Sequence, residues 1–346
     1  MARAKLNSDL SNKTLSIVVP CHNEALNLER LILQLSDQDY QGLQTQIILV
    51  DDGSEDQTWA IIESICKVQQ NVIGLRLSRN FGHQYALFAG ICRAEGAAVV
   101  MMDGDFQHPV YVIPKLIKEW HSGAQIVNTI RHNSGKESWF KRWSSDTYYK
   151  LFSFLSGVEL NAGMADFRLL DRKVVEALTS IGEEGLFLRG LVKWVGYSTA
   201  TIEFRAEERF AGNTSYNFRK MLKFAWTGIT SFSIIPLRIS ILVGLITSFL
   251  AFAELMYAVT VKLAFGTTTP GWASAVSIIS LLFGILFIML GVLGEYIGRI
   301  LVEVRGRPRY LIAREVGGLQ PIDATNTPCP AVEQTPTTVP TNGARN

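Results

Sequence analysis

AAVVMMDGDFQHP, residues 97–109, is an apolar run that breaks into two aspartates. A short apolar stretch bounded by turn formers reads as a strand buried in a sheet. Asp103 and Asp105 sit two apart at its carboxyl end. Side chains at i and i+2 of an extended segment point the same way. Two such carboxylates can share one hard divalent cation, and Mg²⁺ or Mn²⁺ held this way also takes phosphate oxygens. The pair therefore reads as a metal–diphosphate site. An acidic turn with Gly104 at its tip is the other reading the motif leaves open.

Upstream, strand and helix signals alternate. LSIVVP reads as a short strand ended by Pro20, and EALNLERLILQL has helical spacing of Leu and Ile. QIILVDDGS is a second strand, DQTWAIIESICKV a second helix, VIGLRLS a third strand, and residues 82–95 a third helix before AAVVMMDGD. Such alternation predicts an α/β domain with a mostly parallel, Rossmann-like sheet. Ligands of these sheets bind beyond the carboxyl ends of the strands. His22–Asn23–Glu24, Asp51–Asp52–Gly53–Ser54, Arg79–Asn80 and Asp103–Gly104–Asp105 each follow a strand, so all four clusters fall on one edge.

The chain has 346 residues, a net charge of +2 and 48% hydrophobic residues. The charge excludes a global field for nucleic acid. The apolar excess concentrates late in the chain. Residues 239–261 carry one charge, Glu254, and residues 272–293 carry none. Each is long enough to span a bilayer core, which takes about 20 residues. Arg219, Lys220, Lys223 and Arg238 precede this pair, and Arg299, Arg305, Arg307 and Arg309 follow it; the connection holds Lys262 alone. The positive-inside rule predicts an integral membrane protein with both termini and the first 230 or so residues in the cytoplasm. The polar N-terminus shows no signal peptide. Cys21, Cys66, Cys92 and Cys329 show neither metal-ligand nor disulfide spacing.

SIVVPCHNE, VDDGSEDQT, LSRNFGHQYA and MDGDFQHP together resemble the N-terminal half of a family 2 glycosyltransferase of GT-A fold. MADFRLLDR (164–172), FLRGLVKWVGY (187–197) and ERFAGNTSYNFRK (208–220), with the two spans, narrow the resemblance to the polyprenyl-phosphate glycosyltransferases. These are the GtrB-like bactoprenol glucosyltransferases and the dolichol-phosphate mannose synthase relatives. The resemblance covers residues 14–300. It implies a GT-A domain over 14–216, an interfacial helix over 217–235 and the transmembrane pair within 236–300. Residues 1–13 are then an extension, 301–315 a basic juxtamembrane segment, and 316–346, rich in Pro, Thr and Asn, a disordered tail.

The resemblance implies a nucleotide-sugar donor, a polyprenyl phosphate acceptor in the membrane, inversion at the anomeric carbon and a Mg²⁺ or Mn²⁺ cofactor. It makes a homo-oligomer plausible. UDP-glucose with undecaprenyl phosphate is the favoured pair; GDP-mannose, UDP-N-acetylglucosamine and an aminoarabinose donor stay open. By position, Pro20, Asn23 and Glu24 shape the nucleoside pocket, Asp52 contacts the nucleoside and Asp51 supports its loop. Asp103 and Asp105 flank the metal, Asp105 as the direct ligand, and Gln107 contacts the donor or the metal's water shell. Asp166 matches the family's catalytic aspartate. A phosphate monoester with a second pKa near 6 needs little help from a base, however. Orienting the acceptor or a sugar hydroxyl, or pairing with Arg168, are the alternatives for Asp166. Arg131, Arg205, Arg209 and Arg189 are candidates for the acceptor phosphate, since Arg offers forked hydrogen bonds to it. Gly212, Ser215 and Tyr216 suggest a loop closing over the donor.

Residues 139–158 mix Trp, Tyr and Phe with Lys141, Arg142 and Lys150, and read equally as an interfacial or a core helix. The five histidines lack metal-ligand spacing; His83 and His108 fall beside the motifs, within reach of donor phosphate. A processive polysaccharide synthase is one competing reading, weakened by only two spans and no clear Gln-x-x-Arg-Trp motif. A membrane scaffold on a dead transferase fold is another, weakened because Asp51, Asp52, Asp103, Asp105 and Asp166 are all present.

Overall fold

The computed structural model describes residues 14–132, 164–183, 187–205, 235–265 and 271–318. The N-terminal extension, the aromatic–basic segment 139–158, nearly all of the expected interfacial helix 217–235 and the residues after 318 lie outside these. The described residues fall into two compact units, a sheet domain with residues on both sides of a helical pair, and that pair itself.

In the sheet domain, β1 (Thr14–Cys21), β2 (Gln44–Asp51), β3 (Val72–Leu77) and β4 (Ala98–Met101) alternate with α1 (Leu28–Asp37), α2 (Thr58–Val68) and α3 (His83–Arg93). A short 3₁₀ turn leads into α4 (Ile113–His121), then β5 (Ile126–His132). β6 (Met164–Asp171), α5 (Arg172–Ser180), α6 (Leu188–Trp194) and β7 (Thr199–Arg205) follow. The sheet order is β7-β5-β6-β4-β1-β2-β3, with an eighth strand, β8 (Ile312–Gly317), beside β3. β1, β2, β3 and β4 run parallel, which is why long crossovers carry their helices. β6 is antiparallel to both β4 and β5, β7 is parallel to β5, and β8 is antiparallel to β3. The sheet is thus mixed and mostly parallel.

The pattern of the helices explains their docking. α1 buries Leu28, Leu31, Ile32 and Leu35, one stripe at helical spacing. These meet Ile17, Val19, Ile47 and Leu49 of the central strands in one core. Each such side chain, fully removed from water, contributes roughly 1.5–3 kcal/mol. α3 lies closest to the sheet: a Cβ on Gly90 would fall 2.2 Å from Val18 Cγ1. β1 does not stop at Pro20, as its sequence suggests, but runs to Cys21. Its partner β4 reaches only as far as Val18 in register, so the missing N–H of Pro20 breaks no ladder there.

The second unit is α7 (Ile235–Phe265) and α8 (Trp272–Arg305). Apolar stretches Leu237–Val261 and Leu281–Arg305 are each 25 residues long and are not buried inside the protein. Phe249, Phe252, Phe287 and Ile288 are all more than half exposed. That much contiguous apolar surface is incompatible with contact with water and fits association with a membrane.

The chain after these helices departs from expectation. Of the segment 301–315, read as a basic flank, residues 301–305 end α8 and 312–315 begin strand β8, and the expected tail begins inside that strand. Its alternation escapes notice among the arginines, but Val316 packs on the core and Glu315 binds Arg93 Nε at 2.8 Å. Leu311 accepts the Ser78 N–H at 2.9 Å, and the Arg309 guanidinium stacks over Phe88 at 4.7 Å. β8 therefore covers the otherwise open edge of β3. Removing residues 320–346 should leave the melting temperature unchanged. Truncation after Arg305, which also removes β8, should lower it by roughly 2–4 °C for every kcal/mol lost. Equal melting temperatures for the two truncations would contradict this role for β8.

Candidate active site

Four loops meet at the carboxyl ends of the parallel strands. After β1, Asn23 takes a left-handed turn with φ of 58°, a conformation Asn tolerates better than most residues. Its N–H donates to Ser54 Oγ at 3.0 Å, and its Oδ1 accepts the Glu55 N–H at 3.0 Å. The Glu24 N–H donates to Thr58 Oγ1 at 2.9 Å. These bonds tie the first loop to the second.

After β2, Asp51 is fully buried. Its Oδ1 accepts the Ser54 N–H at 2.9 Å, and Oδ2 lies 3.3 Å from Arg76 Nε. Asp52 turns the other way and accepts the N–H groups of Phe81 at 2.8 Å and Gly82 at 2.9 Å, one on each oxygen. Gly53 lies at φ of +65°, and a Cβ there would fall 2.5 Å from Asn80 N. Only glycine fits between these two loops. Asn80 Nδ2 in turn reaches the His22 ring at 3.2 Å, and His22 Nδ1 sits 3.0 Å from the Asp52 carbonyl oxygen.

After β4, the Asp103 N–H donates to His108 Nδ1 at 2.8 Å. His108 is buried and stacks on Phe167 with ring centroids 5.0 Å apart. Burial lowers its pKa against the pull of Asp103 and Asp105, so the imidazole stays a neutral acceptor. Asp105 Oδ1 accepts the Gln107 N–H at 3.1 Å. Between them Phe106 holds φ of 63°. A bulky residue in that region stores about 1–3 kcal/mol of strain, of the kind concentrated at ligand sites.

These loops line an open pocket of about 280 Å³. Among the expected residues, Pro20, Glu24, Asp52, Asp103 and Asp105 line it. Asn23, Asp51 and Gln107 are not part of this lining; they brace the loops that form it. The carboxylate of Asp52, expected at the nucleoside, is spent on the Phe81–Gly82 backbone. His22, Asn80 and His83 join the lining, and only the last was singled out as a phosphate neighbour.

Glu24, Asp103 and Asp105 crowd negative charge into this space. Burial pushes the Glu24 carboxyl above its ordinary pKa; a hydrogen bond from Asn27 opposes this, and Asp105 and Asp103 add to it. A bound divalent cation would relieve that repulsion. Among the described residues no three His, Cys, Asp or Glu side chains form a metal cage. Two aspartates with phosphate oxygens completing the shell suit Mg²⁺ or Mn²⁺, which keep few protein ligands at such sites.

A second cluster adjoins the pocket through His83. Its Nε2 lies 3.3 Å from Asp103 Oδ1 and 4.0 Å from Asp166 Oδ2. Asp166, on β6, is buried and accepts a two-pronged contact from Arg189, Nε to Oδ1 at 2.7 Å and Nη2 to Oδ2 at 2.8 Å. Gln84 Nε2 reaches Oδ2 at 3.4 Å, and Arg168 Nη2 lies 3.6 Å from Oδ1. Burial alone would raise the Asp166 pKa, but Arg189, Arg168 and His83 hold it well below the usual carboxylate range. Burial pulls the Arg168 guanidinium down to about 10. Arg189, expected to meet the acceptor, is thus engaged by Asp166. Arg131 donates to Gln107 Oε1, which brings it beside the Asp103–Asp105 loop. Arg205 ends β7 opposite His132. Arg209, Gly212, Ser215 and Tyr216 lie outside the described residues. Gln84 was missed; its only signal was its place beside His83.

Residues 16–179 match the family model described as glycosyl transferase family 2. An uncharacterized glycosyltransferase of Synechocystis is 38% identical over 90% of this chain and 99% of its own. The prophage bactoprenol glucosyl transferase homolog of Escherichia coli is 37% identical, over 87% of this chain and 98% of its own. A crystal structure of glucosyl-3-phosphoglycerate synthase from Mycobacterium tuberculosis with Mn²⁺, UDP and phosphoglyceric acid is 19% identical, covers 66% of this chain and 80% of its own, and has a TM-score of 0.47.

Asp166 makes a prediction about acid. Its folded pKa lies below the unfolded value of about 3.9, so its contribution is complete above that pH and is lost as pH falls below about 4. In guanidinium titrations the unfolding midpoint of the wild type should fall more steeply between pH 5 and pH 3 than that of Asp166→Asn. Parallel pH dependences would contradict the pairing.

Proposed function

This chain belongs to glycosyl transferase family 2, and from that premise we propose that it moves a single hexose from a nucleotide donor, UDP-glucose, onto polyprenyl phosphate. The observation that carries the reading is the acidic pocket, where Glu24, Asp103 and Asp105 meet at the carboxyl edge of the sheet. The names of the bactoprenol glucosyl transferase relatives support the acceptor and the sugar.

In this reading Asp103 and Asp105 would hold a divalent cation, which would supply Lewis-acid neutralisation of charge on the departing diphosphate. The Asp52-anchored loop sets Asn80 and Gly82 along the donor. His108 fixes the backbone of Asp103, and Gln107 joins Arg131 to the same loop. An acceptor phosphate oxygen attacks the anomeric carbon as the bond to the donor's phosphate oxygen breaks. This single displacement inverts the anomeric centre. A doubly charged monoester becomes a singly charged diester, and the nucleoside diphosphate carries the difference away.

The helical pair α7 and α8 supports membrane association, and a polyprenyl chain resides in a membrane. Residues on both sides of the pair belong to one sheet, β7 before it and β8 after it. That connectivity supports an even number of crossings, and the excess of Lys and Arg flanking the pair supports the cytoplasmic side for the sheet domain.

The test is transfer of labelled sugar from a panel of nucleotide sugars to undecaprenyl phosphate by purified protein. We expect a chloroform-soluble product from UDP-glucose that requires Mg²⁺ or Mn²⁺ and is lost with EDTA. Asp105→Ala should reduce transfer at least about 100-fold while inserting normally into membranes. No lipid product from any donor would overturn the function, and full activity of Asp105→Ala would overturn the metal assignment.

A further inference from the structure

We propose that Asp166 serves the transfer as a positioning residue, holding the Arg189 guanidinium as a cationic wall for the acceptor phosphate, rather than as a base. The proposal rests on the acceptor being a phosphate monoester, as in the function proposed above. It starts from where the carboxylate oxygens point. Both take the fork of Arg189 on α6, at 2.7 and 2.8 Å. Among the described residues, the other groups facing them are Arg168 of β6 and Gln84 and His83 of α3, at 3.6, 3.4 and 4.0 Å. A general base must offer an oxygen to the proton it removes, within hydrogen-bond reach of it. Here two guanidinium groups, an imidazole and an amide donor face the oxygens, and the Asp166 side chain is 9% exposed.

Exposure differs across the pair. The Arg189 side chain is 32% exposed, against 9% for its anchor Asp166. His83 is 44% exposed and bridges Asp166 to Asp103. Asp166 thus fixes a guanidinium next to His83, which lines the pocket. A bidentate carboxylate–Arg contact restricts both the position and the plane of the guanidinium. Arg168, wholly buried beneath, keeps Asp166 ionised and in place.

The chemistry gives a base nothing to do. The acceptor's second ionisation lies near pH 6, so the nucleophile is a dianion at neutral pH. Attack of a dianion leaves no proton on the bridging oxygen. What the dianion needs is charge compensation and alignment as it approaches an anionic donor, and fixed cations provide both.

The wild type tests this without any substitution. The pH dependence of kcat/KM is measured with polyprenyl phosphate and with the matching phosphonate, whose second ionisation lies higher. We expect an acid limb that moves upward with the phosphonate, because the dianion is the reacting form. A limb that stays in place with both acceptors would mean that the enzyme removes the proton itself, and would overturn the proposal. Asp166→Asn can still accept one bond from Arg189 but cannot act as a base. We expect acceptor KM to rise about tenfold, kcat to fall by less than that, and donor KM to stay constant. Loss of kcat by about 10²–10⁴ with unchanged acceptor KM is the signature of a removed base and would also overturn the proposal. Because Asn leaves Arg168 buried beside a neutral group, Arg189→Lys is the second variant. It retains the charge, loses the fork, and should raise acceptor KM in the same way; an unchanged acceptor KM would count against the wall. Absence of any transfer by the wild type would overturn the functional reading and this proposal with it. Transfer by the wild type with base-like behaviour of Asp166→Asn would overturn this proposal alone.

Discussion

The two hydrogen bonds from the Phe81 and Gly82 N–H groups to Asp52 hold the pocket together. They join the loop after β2 to the loop that opens α3, at a distance only Gly53 permits. Everything on the β3 side of the pocket depends on that junction. Asn80 reaches His22 across it, and His83, at the start of α3, reaches Asp103 and Asp166. Among the described residues the Asp52 side chain is met by backbone N–H groups, which leaves the side chains of the loop for other work. Removing it would leave two partly buried N–H groups without this partner and free the loop.

The opposite side of the pocket rests on a different device. His108, locked neutral between Phe167 and the Asp103 backbone, orients the loop that carries Asp103 and Asp105. Phe106 holds its turn in a strained conformation between Asp105 and Gln107. The loops after β1 and β4 present Glu24, Asp103 and Asp105 to one space, and mutual repulsion makes that space favourable for a cation.

Much of this was legible in the residues, and the part that was not has physical reasons. Strand–helix alternation gave β1 to β4, and polar clusters after each strand placed the pocket, because strand ends and loop chemistry are local. The role of Asp52 was not legible: its partners are backbone groups some thirty residues away, and backbone donors carry no sequence signal. Asp166 and Arg189 were each visible, but their pairing needs β6 and α6 to be brought together by the sheet. β8 was hidden because Arg305, Arg307 and Arg309 read as a membrane flank, while the side chain of Arg309 packs on Phe88. An edge strand of six residues offers too short a pattern to outweigh that charge.

The central claim is that the acidic pocket is a metal-dependent site for a nucleoside diphosphate. Calorimetric titration of UDP into the purified protein, with Mn²⁺ and with EDTA, tests it without reference to the acceptor or the membrane. The account predicts saturable binding with Mn²⁺ that weakens at least about tenfold in EDTA, a difference of roughly 1.4 kcal/mol. Equal affinity in the two conditions, or no binding of UDP in either, would contradict it.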